Sequence, residues 1–277
     1  MLTVERTQLA VWGDPIAHSQ SPALHAAAYR ELGLAWQYGR RQVGAAEFDE
    51  SLAALGAEWR GLSLTMPLKE RAFAAATTRD RHAELTGAVN TLVLGERLAG
   101  FNTDVGGVID ALDDHALPPA TRVRILGAGA TASSALVAAG ERGAAEIEVR
   151  ARRPERAGAL RALGERLGIA VTTAEMSAPL SRVDLTIATL PSGTALDATV
   201  AERLAAEGGA LFDAAYAPWP SALAAAWGSA PVISGLGMLL HQAVRQIRIF
   251  RHGDPAVALP DEAAVIAAMR AALVDAS

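Results

Sequence analysis

The chain contains no cysteine among its 277 residues. Disulfides, thiolate metal ligation and a cysteine nucleophile are therefore excluded. No apolar run approaches the roughly 18–20 residues that a membrane-spanning helix needs. The opening residues, Met1-Leu2-Thr3-Val4-Glu5-Arg6, lack the apolar stretch of a secretion signal, so a cytoplasmic location is expected. Aromatic residues make up only 5 % of the chain, the formal net charge is −5, and no basic stripe stands out. These features argue against a nucleic-acid partner. The six histidines show no metal-ligand spacing on one helix face, and no metal is expected.

What is present suits a folded protein. Hydrophobic residues account for 51 % and charged residues for 20 %, ordinary proportions for a globular chain. The length suits two modest domains better than one. Alanine-rich stretches at helical spacing are good helix formers rather than low-complexity linkers.

Residues 7–13 predict a strand closed by Gly13-Asp14-Pro15. Residues 22–32 predict an amphipathic helix with Ser21 as N-cap and Gly33 as its stop. A strand at 36–43, a helix at 45–55 and a strand at 60–65 follow, with Pro67 in the first turn of the next helix. Short strands are expected at 88–94 and 98–101. This alternation predicts an α/β unit with a mostly parallel sheet covered on both faces. A helix at 106–112 precedes an apolar strand at 122–126, which runs directly into Gly127-Ala128-Gly129-Ala130-Thr131-Ala132 and a helix to 139. Strands at 147–151, 171–173, 184–190 and 210–216, with helices between, give the rhythm of a doubly wound, Rossmann-type domain. Beyond Gly235 the pattern is helical, at 238–250 and 261–274. The expected division is 1–104, completed by 237–277, and 105–236, with the last helices returning to the first domain.

A strand, Gly-Ala-Gly-Ala-Thr-Ala and a helix form a dinucleotide-binding fingerprint in its proper context. Gly127 permits the tight turn, Gly129 puts no side chain in the way of a pyrophosphate, and Ala132 lets helix and strand approach. Ala128, Ala130 and Thr131 complete the loop, where the helix N-terminus offers free N–H groups and positive dipole. The next strand ends in Ala151-Arg152-Arg153-Pro154. An NAD-selective domain has a carboxylate at this tip; Arg152 and Arg153 instead suit a 2′-phosphate, so NADP is the expected cofactor. The plainer reading is a solvated arginine pair.

Ser19, Ser21, Thr65, Asn90 and Gln242 are neutral donor–acceptors that suit the hydroxyls and carboxylate of a polar ring. Lys69 follows a strand–proline turn, and Asp104 ends the first domain. A lysine–aspartate pair beside a carbinol can move a proton while a nicotinamide moves a hydride.

Several segments, in order, resemble the shikimate dehydrogenase family: Gly13-Asp14-Pro15-Ile16-Ala17-His18-Ser19-Gln20-Ser21-Pro22, Gly61-Leu62-Ser63-Leu64-Thr65-Met66-Pro67-Leu68-Lys69, Gly87-Ala88-Val89-Asn90-Thr91 and Asn102-Thr103-Asp104. The glycine loop, Asp213-Ala214-Ala215-Tyr216-Ala217-Pro218 and Gly235-Leu236-Gly237-Met238-Leu239-Leu240-His241-Gln242 follow. The resemblance implies NADP-dependent reversible reduction of 3-dehydroshikimate to shikimate, on the route to chorismate and the aromatic amino acids. It implies that Lys69 is the acid–base residue at the C3 oxygen and that Asp104 bonds Lys69 and the substrate hydroxyl. Ser19 and Ser21 would hold the carboxylate, and Thr65, Asn90 and Gln242 the ring substituents, with Tyr216 a further contact. Thr189, Pro191 and Gly235 fall in its cofactor segments. Three segments depart from the family pattern. Ser63 replaces a usual asparagine at the ring, Ala151 replaces the asparagine before Arg152, and Ala188 stands where the cofactor segment usually has asparagine.

Plainer roles exist for some of these residues. Ser21 and Asp104 are possible helix caps, Asn90 a turn residue, and His18 and His241 packing groups. Two other functions compete. One is a related enzyme acting on quinate or an aminated shikimate; the other is a non-catalytic NADP-binding regulator, which would need neither Lys69 nor Asp104. The partner expected in every case is a small molecule, with monomer and homodimer both open.

Overall fold

Strand β1 (Gln8–Gly13) is buried from Leu9 to Gly13, as a strand covered on both faces must be. In the computed structural model, which describes residues 7–274, it sits near the middle of a six-stranded sheet. Around it are helix α1 (Ser21–Glu31), β2 (Gln37–Gln42), α2 (Phe48–Ala53), β3 (Trp59–Leu64), α3 (Lys69–Ala75), β4 (Thr78–Arg79), α4 (Arg81–Thr86), β5 (Thr91–Val93) and β6 (Ala99–Phe101). The strand order is β2-β1-β3-β5-β6-β4. The reading of Met1–Arg6 lies outside the described residues.

Helix α5 (Asp104–Asp114) then leads to β7 (Arg122–Leu126), α6 (Ala130–Glu141), β8 (Glu146–Arg150), α7 (Gly158–Leu167), β9 (Ala170–Ala174), β10 (Leu185–Ala188), α8 (Ala198–Ala206), β11 (Ala210–Asp213), α9 (Ala222–Ala226) and β12 (Val232–Ser234). These strands pair in the order β12-β11-β10-β7-β8-β9, and every pairing is parallel. That is the doubly wound order with its switch point between β7 and β10. Helices α10 (Leu236–His252) and α11 (Glu262–Val274) close the chain. None of the helices among the described residues is long and apolar enough to cross a membrane.

The backbone divides into two units. One runs to Thr103 and resumes at Leu239; the other is Asp104–Met238. The breaks thus fall one and two residues from the expected 104/105 and 236/237, with Asp104 opening the second unit as the first residue of α5. The C-terminal helices pack within the first unit, where α11 lies on α1 and Arg60 of β3 donates to the Phe250 carbonyl of α10 at 3.0 Å.

The first sheet is mostly parallel, as expected: β1 pairs in parallel with β2 and β3, and β4 with β6, while β5 is antiparallel to β3 and to β6. The few residues between β5 and β6 are far short of the dozen or so that a parallel crossover needs. Ser21 does not cap α1. The helix begins at Ser21, Gln20 is its N-cap without a side-chain bond, and the Ser21 N–H donates to Ser19 Oγ at 3.3 Å. Pro67 lies in a turn before α3, since the helix starts only at Lys69. Gly33, at φ +62°, does terminate α1. Strands β4 and β12 escaped the sequence reading because two or three residues carry no detectable period.

The first core gathers Trp12, Phe48, Leu62, Leu64, Leu68 and Leu92 between sheet and helices. On β3, Gly61 makes the approach of α10 possible, because a Cβ there would lie 2.5 Å from both the Leu92 carbonyl and the Phe250 ring. Gly61→Ala is expected to lower stability by about 1–3 kcal/mol, the usual penalty of overpacking. An unchanged thermal midpoint would show that Phe250 does not seat on β3.

Candidate functional site

Parallel pairing of β1 with β3 brings the carboxyl ends of both strands together, the place where open α/β sheets bind ligands. The Thr65 N–H donates to the Trp12 carbonyl at 3.0 Å, and the Asp14 N–H to the Met66 carbonyl at 2.9 Å. Gly13 tolerates no side chain: a Cβ would meet Thr65 Cγ2 at 2.4 Å. The segment 14–21 and the turn 65–69 are thereby neighbours. Asn90 joins them from the residue before β5, its carbonyl accepting the Leu64 N–H at 2.7 Å. The first unit thus collects Ser19, Ser21, Ser63, Thr65, Lys69 and Asn90 at one end of its sheet. Lys69 is partly buried in the first turn of α3, and its carbonyl accepts the Val89 N–H at 2.9 Å. It is also the only lysine in the chain, every other basic side chain of the lysine–arginine class being arginine.

Asn90 is more than a turn residue. Its side-chain amide donates to Thr103 Oγ1 at 2.9 Å, while its side-chain oxygen accepts the Thr103 N–H at 2.9 Å. Asn102 is fixed from its other side: its amide donates to Thr86 Oγ1 at 2.9 Å and to the Ala88 carbonyl at 3.1 Å. Asp80 caps α4 through Ala83 at 2.7 Å and also accepts the Asn102 N–H at 3.1 Å. Burial raises its carboxyl pKa, and those N–H donors work against the rise. Asp104, 4 % exposed, follows directly on this pinned segment. Gln242 of α10 is 8 % exposed and donates to the Leu239 carbonyl at 2.8 Å.

Ser63 leads to residues that the sequence did not single out. Its hydroxyl donates to Gln246 Oε1 at 2.7 Å, and the same oxygen lies 3.3 Å from His25 Nε2. His25 Nδ1 lies 2.9 Å from the Tyr29 hydroxyl, and the ring stacks on Tyr38 with centroids 3.8 Å apart. A glutamine oxygen only accepts, so Nε2 carries the imidazole proton. Only the i, i+4 spacing of His25 with Tyr29 and of Gln242 with Gln246 was visible beforehand.

In the second unit, β7 runs into the glycine turn and α6. Gly127 has φ +116°, and a Cβ on it would strike Thr189 Oγ1 at 2.5 Å. A Cβ on Gly129 would meet nothing within 4 Å, so the turn faces open space there. Ala130 and Thr131 open α6, and Ala132 is wholly buried. A cavity of about 570 Å³ adjoins the turn, lined by Gly127, Ala128, Arg152, Arg153, Met176 and Pro191 among others. Arg152 and Arg153 are exposed at its rim, and Ala151 lines it too. Thr189 holds the turn rather than the opening, its hydroxyl donating to the Leu126 carbonyl at 2.9 Å. Gly235 likewise permits a close backbone approach, since a Cβ would lie 2.1 Å from the Ala214 carbonyl oxygen. Tyr216 is partly buried, which raises its pKa. It follows Asp213, which accepts from the Ala215 N–H at 3.0 Å and the Ser221 hydroxyl at 2.5 Å.

Residues 11–92 match the family model described as the shikimate dehydrogenase substrate binding domain. A shikimate dehydrogenase (NADP(+)) of Methylobacterium radiotolerans is 37 % identical over 256 residues, covering 88 % of this chain and 90 % of the relative. The chain belongs to the shikimate dehydrogenase family. The Mycobacterium tuberculosis shikimate dehydrogenase structure is 40 % identical and superposes with a TM-score of 0.84, over 96 % of this chain and 99 % of that one. The Thermus thermophilus enzyme, solved with NADP(H) and shikimate, is 32 % identical with a TM-score of 0.77, over 96 % and 99 % of the two chains. The two-domain α/β architecture of the family is thus present along the whole match.

The neutral His25 gives a pH signature. Burial lowers its pKa from 6.5 to about 3, the bond to Gln246 opposing the shift. The unfolded chain therefore binds a proton that the folded chain refuses between those values, and stability falls as pH drops through that window. At pH 4.5 the loss from this residue is expected to be about 2–3 kcal/mol relative to pH 8. His25→Gln should flatten that part of the stability–pH profile, read by chemical denaturation. An unchanged slope would show that His25 is not held neutral.

Proposed function

We propose that the protein catalyses the NADP-dependent, reversible reduction of 3-dehydroshikimate to shikimate, as an oxidoreductase of aromatic biosynthesis. The observation that carries this reading is the cavity at the Gly127–Gly129 turn, with two arginines and no carboxylate at the end of β8. The residues present fit the cofactor. Gly129 leaves room for a pyrophosphate at the start of α6, and Arg152 and Arg153 match a 2′-phosphate with charge-assisted bonds. On this reading the second unit holds the dinucleotide through Gly127, Ala128, Gly129, Ala130 and Thr131, with Thr189, Pro191 and Gly235 shaping the nicotinamide side. The first unit, completed by α10 and α11, holds the substrate.

The cofactor supplies the hydride when bound; the chain supplies placement and proton transfer. Lys69 gives the ring oxygen its proton in the reductive direction and withdraws it in the oxidative one. Asp104 is assigned to hold Lys69 and the substrate hydroxyl by hydrogen bonds. Ser19 and Ser21 take the carboxylate, while Ser63, Thr65, Asn90 and Gln242 take ring substituents and Tyr216 adds a hydroxyl. Ser63 has a hydroxyl engaged by Gln246, so the ring pattern accepted here depends on both residues, and quinate is the substrate to set against shikimate. A cytoplasmic location, where NADPH is available, goes with this function, and a small molecule is its partner.

Lys69→Ala should lower kcat by about 10²–10⁴-fold, the usual worth of a general acid–base, with cofactor affinity retained. Near-normal turnover of shikimate with NADP, followed by nicotinamide absorbance, would sink the assignment. Because Lys69 is the only lysine, reductive 13C-methylation gives one side-chain resonance whose titration can be followed directly. Arg152→Ala should raise KM for NADP roughly tenfold or more while leaving KM for NAD within about twofold. Equal effects on both cofactors would remove the 2′-phosphate role.

A further inference from the structure

Beneath the rim of the cofactor cavity, β7 and β8 bury two guanidinium groups around one carboxylate. Register pairs Arg124 with Glu148 across the strands, and Arg150 follows Glu148 on the same face of β8. Both arginines have 0 % exposed side chains, and each reaches Glu148 at 2.6 Å. Replacing buried ion pairs by packed apolar groups often leaves stability unchanged or improved. Stability alone is thus a weak reason for two such arginines.

Their remaining contacts point to a use. The chain from Glu175 to Asp184 contains no helix or strand, so its carbonyls lack a regular ladder. Arg150 Nη1 donates to the carbonyls of Glu175 at 3.0 Å, Met176 at 3.4 Å and Ala178 at 2.9 Å, and Nη2 to that of Pro179 at 2.6 Å. Arg124 adds the Ser181 and Glu207 carbonyls. Glu175, Met176 and Ser177 of this segment form one wall of the cavity whose rim carries Arg152 and Arg153. The Arg150 backbone serves the opposite wall, its carbonyl accepting the Gly127 N–H at 2.8 Å. One residue therefore ties the glycine turn to the irregular segment facing it, two positions before Arg152.

We propose that Arg150, supported by Arg124 and Glu148, is a positioning residue for the adenosine 2′-phosphate end of the cofactor, setting the cavity wall formed by residues 175–177. The inference rests on the NADP reading above. It is tested on full-length Arg150→Met and Arg150→Lys, with calorimetric titration of 2′,5′-ADP and 5′-AMP and steady-state kinetics. Arg150→Met should weaken 2′,5′-ADP binding and raise KM for NADP roughly tenfold or more, the worth of lost charge-assisted bonds. kcat at saturation and KM for shikimate should stay within about twofold. Arg150→Lys keeps the charge but not the fork that spans Glu148 and the carbonyls. It should shift the same constants in the same direction, and it decides the question alone if the methionine variant does not fold. Unchanged NADP constants in a folded variant would overturn the proposal, as would kcat and KM for shikimate changing in parallel with KM for NADP. If the wild-type protein bound 2′,5′-ADP no better than 5′-AMP, the 2′-phosphate reading itself would fall, and the proposal with it.

Discussion

No side chain fits at the carboxyl end of β7. The Gly127 Cα faces Thr189 so closely that a Cβ would overlap its hydroxyl, and Thr189 in turn grips the Leu126 carbonyl. Two adjacent parallel strands are locked where the sheet changes direction, and the backbone turns into α6 through Gly129, where a Cβ would meet nothing within 4 Å. The cavity with its arginine rim adjoins this turn. A glycine at positive φ is the physical condition for it, since other residues reach φ +116° only at a steric cost.

The first unit obeys a related constraint at Gly13, where the end of β1 leaves room only for Thr65. The unit also buries a set of polar side chains. Asn90, Asn102, Thr103, Ser63, His25 and Gln246 are all below 9 % exposure, and each has a hydrogen-bond partner within the unit. Buried polar groups without partners would each cost a substantial part of a domain's marginal stability. Satisfied, they rigidify the segments that carry Lys69 and lead into Asp104. The second unit uses the same strategy with charge, fixing an irregular segment by guanidinium bonds where no strand or helix does so.

The contiguous motifs were legible because their chemistry is local. Strand–glycine turn–helix, the proline turn before Lys69 and the arginine pair after β8 each depend on neighbours a few residues apart. Family membership was legible for the same reason, since several such segments recur in a fixed order. The direction of the β5–β6 pair was not legible from apolar period, because it follows from the short loop between them. Ser21 was expected to cap α1, but the cap fell one residue earlier, and the serine is a first-turn residue with its N–H on Ser19. Gln246 was passed over because its partners, Ser63 and His25, lie 183 and 221 residues away along the chain.

By itself the sequence determined where the two sheets begin and end in outline, where the glycine turn lies, and that a single lysine follows the proline turn after β3. Backbone conformation there follows from glycine, proline and short-range periodicity. Tertiary structure alone decided which polar groups are committed to one another. It set Ser63 against Gln246, Asn90 against Thr103, and Arg150 against the carbonyls of 175–179. Hydrogen bonds between residues far apart in the chain are fixed by strand register and helix docking, and neither is written in any one stretch of residues.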